Sequence, residues 1–128
     1  IDTPGMRELW LWTAEDGLPD IVSPLADGRR VYLLTTEGLL TCYDASGGAK
    51  LFEKDLETSF IASPSLVGER VYLLSRKGTL IVFQAGPEYR ELARSELGEE
   101  CEASPAFAEG LMFIRAAGHL YCIGAARP

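Results

Sequence analysis

The chain has no asparagine, so it carries no N-glycosylation sequon, and its turns rest on glycine and Asp-Gly instead. Histidine occurs once, at His119. It follows a turn glycine in the place held elsewhere by Leu39 and Thr79, which reads as the start of a strand rather than a catalytic base. The cysteines number three, at positions 42, 101 and 122, with no CxxC or adjacent pair, which excludes a zinc knuckle and a thioredoxin-like motif. Basic residues are few: 12 Lys and Arg against 19 Asp and Glu give a net charge of −7. The basic pairs Arg29-Arg30 and Arg76-Lys77 do not make a cationic face, which argues against nucleic acid as a partner. No apolar run is long enough for a transmembrane segment, and no basic-then-apolar leader opens the chain. Ile1 opens abruptly, as in a processed or partial chain. Also missing is any run of ten or more residues with a 3.6-residue apolar period, so no helix is expected.

What is present is a repeat. "SPLADGRRVYLL" from Ser23 and "SPSLVGERVYLL" from Ser63 share eight of twelve letters, and "SPAFAEGLMFI" from Ser104 repeats them more loosely. Gly38, Gly78 and Gly118 follow at intervals of forty, leading into "GLLTCYD", "GTLIVFQ" and "GHLYCIG". A period near 40 residues marks an array of supersecondary units. Within a unit, short runs of β-branched, aromatic and aliphatic residues are split by glycine turns, the pattern of four strands in a meander. The stretch "EYRELARSELGEE" is rich in helix formers, yet its repeat-mates "AKLFEKDLETS" and "RELWLWTAEDG" make it a fourth strand.

Second and third strands such as "VYLL", "LIVF" and "LYCI" are continuously apolar where a half-covered sheet would alternate. Both faces are therefore expected to be buried, each small sheet lying between two others. The expected fold class is all-β: a β-propeller of three four-stranded antiparallel blades in a single domain spanning 1–128. A β-sandwich would not explain so regular a repeat. The blades are expected at about 18–57, 58–98 and 99–124, with residues 1–13 supplying the fourth strand of the last. That last expectation rests on spacing, because Asp2 and Trp10 are eight apart, like Asp44 and Phe52. Three blades are too few to close a ring. Either two copies form a six-bladed homodimer, or the chain is a slice of a longer propeller.

These units resemble the repeat of the PQQ-like (quinoprotein-type, BamB-like) propellers: Ser-Pro, a glycine turn, Val-Tyr, Gly-x-Leu-x-Ala-x-Asp, Gly and Leu-Trp. The matching residues are Ser23, Pro24, Gly28, Val31, Tyr32, Gly38, Leu40, Asp44, Gly48 and Leu51, with Phe52 in the Trp place. The second unit keeps Ser63, Pro64, Val71, Tyr72, Gly78 and Leu80, with Gln84 for Asp and Leu92 for Trp. The third keeps Ser104, Pro105, Gly118 and Leu120. WD40 repeats share the architecture, but their Gly-His and Trp-Asp signatures are missing. The resemblance implies structural roles for these residues, with Trp10, Trp12 and Phe52 packing on adjoining blades.

In its enzyme branch the family holds PQQ and a metal in a central funnel, using oxygen ligands, a carboxylate base and often a disulfide between adjacent cysteines. None of these is recognisable here, so no cofactor, no metal and no catalytic residue is expected. Ser23, Ser63 and Ser104 recur with the fold and are read as backbone hydrogen-bonders near each proline. The expected function is a non-catalytic scaffold binding a protein partner through its loops and axial face, the alternative being a fragment of a PQQ-dependent oxidoreductase. The binding loops are 14–19, 57–59 and 97–100, beside Glu37, Arg76-Lys77 and Ala116-Ala117. Asp16, Asp20, Glu99, Glu100 and Glu102, with Arg76 and Lys77, are the candidate contact residues. The resemblance points to the bacterial periplasm or envelope, whereas free cysteines fit the cytoplasm equally.

Overall fold

The structure is a computed structural model that describes residues 12–125. It contains strands and no helix among the described residues. β1 (Leu25–Ala26), β2 (Arg30–Leu34), β3 (Leu39–Asp44) and β4 (Lys50–Asp55) form one antiparallel sheet in that order. β5 (Ser65–Val67), β6 (Arg70–Leu74), β7 (Thr79–Gln84) and β8 (Glu91–Glu96) form a second, identical in order. β9 (Ala106–Ala108), β10 (Leu111–Arg115) and β11 (Leu120–Gly124) form a third. The helix-forming residues of β8 are thus held as a strand, paired along β7, with every residue of it exposed at the sheet edge. Their amphipathic alternative would have no apolar stripe to bury, so tertiary pairing decides.

The repeat extends to register. Tyr32 faces Cys42 and Tyr72 faces Val82, and the ladder slips after Cys42 in the first sheet and after Val82 in the second. The third sheet has three strands among the described residues where four were expected. The fourth was to come from residues 1–13, and Trp10 with it, and this expectation falls outside the described residues except at Trp12 and Thr13.

Two apolar cores lie between the sheets. Leu40 and Cys42 of the first sheet pack with Val71, Leu73, Ile81 and Phe83 of the second. Leu80 and Val82, on the opposite side of β7, pack with Met112, Ile114, Tyr121 and Ile123 of the third. Successive side chains of a strand point to opposite faces, so β7 serves both cores and every position from Thr79 to Phe83 is buried. The third sheet is different. Leu120, in the register place of Leu40 and Leu80, is 71% exposed, and β11 alternates between exposed and half-buried. β7 is buried between two sheets, whereas β3 is buried by the second sheet on one face and by Trp12 over Tyr43 on the other, and β11 has no cover on its second face among the described residues.

Tight backbone approaches hold the connections between sheets against the turns they pass. Gly38 and Gly78 have φ of +101° and +88°, and a Cβ on either would lie 2.1 Å from the carbonyl oxygen of Thr58 or Glu99. No L side chain fits such a contact.

A carboxylate-rich rim at the sheet connections

The connections between sheets run past the β2–β3, β6–β7 and β10–β11 turns and are tied to them by backbone hydrogen bonds. Phe60 N donates to Thr36 O (2.9 Å), and Arg76 N to Ser59 O (2.9 Å). Cys101 N donates to Arg76 O (3.0 Å), and Ala117 N to Glu100 O (2.9 Å). Further along the connections, Ser23 N donates to Ser63 Oγ (2.9 Å) and Ser104 Oγ to Ser63 O (3.1 Å). The recurring serines therefore bond to one another across units, satisfying backbone groups that the short inner strands leave unpaired. Pro64 and Pro105 are buried beside them, while Pro24 is exposed.

This lattice brings Arg76, Glu99, Glu100 and Ala117 together on one rim, with Glu102 close by. Glu100 and Glu102 line a cleft of about 420 Å³ with Arg115 and Ala117. Arg76, Lys77, Glu100 and Glu102 are exposed, and none makes an ion pair among the described residues. Asp16 is exposed next to Gly17, which packs near Leu39 and Thr41. Asp20 accepts a hydrogen bond from the Thr36 hydroxyl, which together with backbone amides holds its carboxyl below the usual value.

Glu99 has another task. Its carboxylate accepts hydrogen bonds from the Tyr121 hydroxyl and from Gly118 N (2.8 Å), and lies 2.8 Å from His119 Nδ1. The Tyr121 contact, ahead of the Gly118 and His119 contacts, keeps Glu99 below the ordinary carboxylate range, and Glu99 in turn raises the Tyr121 phenol. Glu99 thus clamps the connection onto the third sheet, and its acceptor capacity is engaged inside the protein.

The remaining motif residues sit in turns and packing. Asp44 accepts from Ser46 N (2.8 Å), Ser46 Oγ (2.6 Å) and Gly47 N (3.2 Å), closing the β3–β4 turn and lowering its own pKa. Trp12 stacks on Tyr43 at 5.8 Å, and its indole N–H donates to Ala45 O (2.8 Å). A Cβ on Gly48 would lie 2.6 Å from the Trp12 ring. Phe52 packs against Tyr32 and, in the second unit, Tyr89.

Sequence reasoning missed the network around Asp27. Its carboxylate takes hydrogen bonds from Arg29 N (3.0 Å), Arg30 N (2.8 Å), Arg30 Nε (2.9 Å) and Tyr32 Oη (3.0 Å). Tyr32 Oη in turn accepts from Gly86 N (3.1 Å) across the interface. Burial pushes Asp27 up, but these donors outweigh it and hold the carboxyl below its usual value. Burial, reinforced by Asp27, raises the Tyr32 phenol to about 12 and, through burial chiefly, the Cys42 thiol to about 11. The signal was available in "ADGRRVY", a turn aspartate three residues before an arginine and five before a tyrosine.

Among the described residues, no group of three or more His, Cys, Asp or Glu side chains is placed to share a metal ion. The family model for the outer membrane protein assembly factor BamB matches residues 1–86, about two thirds of the sequence. The chain belongs to this family. Among 67 matching chains of solved structures is the crystal structure of BamB from Moraxella catarrhalis, with a TM-score of 0.74 and 16% identity. The match covers 88% of this chain and 36% of that one, so the chain spans little more than a third of its solved BamB neighbour. No curated protein matches. At this identity the structural likeness establishes the fold, a β-propeller arrangement of the three sheets. Among the described residues no helix is long and apolar enough to cross a membrane.

Proposed function

We propose that the chain is a non-catalytic propeller scaffold that engages a protein partner through the rim of its sheet connections. The partner is a component of outer-membrane protein assembly, and the setting is the bacterial envelope. The observation that carries this reading is the rim itself. Backbone hydrogen bonds immobilise it, while Arg76, Lys77, Glu100 and Glu102 remain exposed and free of ion pairs among the described residues. Loops fixed on a rigid scaffold lose little conformational freedom on binding, and unpaired charges on them select partners by complementarity. Family membership supplies the class of process. On this reading the units at about 18–57, 58–98 and 99–124 are propeller blades, and the open face at Leu120 is where a further blade packs, from the same polypeptide or a second copy.

A photo-crosslinking residue placed at Glu100 is expected to give one discrete adduct in bacterial envelope extract. The charge reversals Arg76→Glu with Lys77→Glu should abolish it. Adducts no different from those formed at Ser95, on the exposed edge of β8, would refute the rim as the contact surface.

A further inference from the structure

The two sheet interfaces carry the same cleft in two chemical versions. Pairing of Leu25 with Tyr32 and of Ser65 with Tyr72 places Asp27 and Val67 in equivalent positions, as it does Arg30 and Arg70. In the first cleft, Arg30 holds Asp27, and Glu69 and Gln84 add polar walls. In the second, Val67 takes the aspartate's place and is 40% exposed. Arg70 makes no ion pair among the described residues. The cleft there is about 520 Å³, with Tyr72, Phe107, Leu111 and Ile123 among its walls. Tyr72 and Phe107 have ring centroids 5.0 Å apart, forming an aromatic side to it. Glu109, on the β9–β10 turn, also lines the cleft and makes no ion pair among the described residues. Its charge disfavours a second carboxylate beside it and so directs one towards Arg70.

We propose that this second cleft docks a partner polypeptide that buries a large apolar side chain in it and sets a neighbouring carboxylate on Arg70. The incoming carboxylate reproduces in trans what Asp27 does for Arg30 in cis. An apolar pocket with one oriented charge is the usual form of such an anchor site. The proposal rests on the reading of the chain as a protein-binding scaffold, but at a different surface. Crosslinking at Glu100 reports on the rim whatever happens at the cleft.

The test is an amide chemical-shift titration of the 15N-labelled 128-residue chain with N-acetyl-Trp-Glu-amide and N-acetyl-Trp-Gln-amide. Shifts are expected at residues 67–72 and 107–112, with the glutamate peptide bound about three- to fivefold more tightly. Arg70→Ala should bring the two peptides level. Val67→Asp should do the same by giving Arg70 an internal carboxylate. Equal binding to the wild-type chain, shifts elsewhere or no shifts would each overturn the proposal. Laurate moving the same amides at lower concentration would identify a site for apolar acids instead. Binding that appears only when the chain is shortened to end at Ala125 would show that its own last residues occupy the cleft.

Discussion

The interface between the first and second sheets and that between the second and third come from nearly the same words of sequence, yet they are built differently. The first is closed in its core and polar at its outer end. Its core holds Tyr32, Phe83, Leu73 and Ile81, all inaccessible to solvent, and the cleft of about 420 Å³ at its outer end is polar, with Asp27 already held by Arg30 and Tyr32. The second shares the β7 strand but has half-buried Tyr121 and Ile123 on the far side and an open apolar cleft at its end. A repeat therefore specifies where two sheets meet, while a few positions within it decide whether the cleft at the seam is polar or apolar. Asp27 against Val67 is the clearest such position.

The largest test of this contrast lies in the cores. Phe83 is fully buried in the first interface, so Phe83→Ala is expected to cost about 3–5 kcal/mol in urea unfolding. Ile123, half-buried in the second, has less surface to lose and a more open surround that relaxes around it. Ile123→Ala should cost about half as much or less. Equal losses would mean that the two interfaces are packed alike and that the cleft is not a feature of the second.

How much of this was legible in the sequence follows from what repeats and what does not. The spacing of Gly38 and Gly78 announced two turns, and both prove to be places where a carbonyl excludes any Cβ. The apolar runs "LTCY" and "LIVF" announced two-sided burial, and β7 meets it between two sheets while β3 meets it between the second sheet and Trp12. Periodicity also overrode the helix propensity of "ELARSE" correctly, since its register with β7 was fixed by the unit before it. Legibility ended at side chains that act across units. Glu99 looked like one more rim carboxylate. Its capture by Gly118, His119 and Tyr121 depends on how two connections approach in space, which no local pattern encodes. The Ser23–Ser63–Ser104 contacts were expected as local backbone bonds and instead bridge units, for the same reason.

A smaller effect sharpens the comparison through pH. The Asp27 carboxyl is 6% exposed, and its folded-state pKa lies below its ordinary value. A lowered carboxylate stabilises the fold fully above its unfolded pKa, near 4, and that contribution is lost as pH falls through the folded value. Asp27→Asn is therefore expected to cost about 1–2 kcal/mol at pH 7. The gap from wild type should narrow below about pH 4, where the unfolded carboxyl takes up its proton first, and close only as pH falls through the lower folded-state value. Urea midpoints at pH 7 and pH 3 measure it. A gap independent of pH would show that Asp27 acts by shape alone. The second interface, with Val67 in that place, has no counterpart to this titration.

The smallest difference is in the hairpins at the cleft ends. Gly68 and Glu69 link β5 to β6, while Glu109 and Gly110 link β9 to β10, both as two-residue loops. In the first only Gly68 has positive φ, at 61°, the pattern of a type II′ turn. In the second Glu109 and Gly110 are both positive, at 51° and 78°, the pattern of type I′. Glu109 therefore occupies the left-handed region with a Cβ, at a cost of about 1–2 kcal/mol, part of which glycine would return as greater freedom of the unfolded chain. Glu109→Gly should stabilise the protein by about 0.5–1 kcal/mol in urea melts. Gly68→Glu should destabilise it by at least as much, although nothing lies within 4 Å of a Cβ built there. Because space is open at Gly68, a loss there can come only from backbone conformation. Were Gly68→Glu neutral, the argument for strain at Glu109 would fail with it, since the type II′ position at Gly68 disfavours a Cβ more strongly than the type I′ position at Glu109.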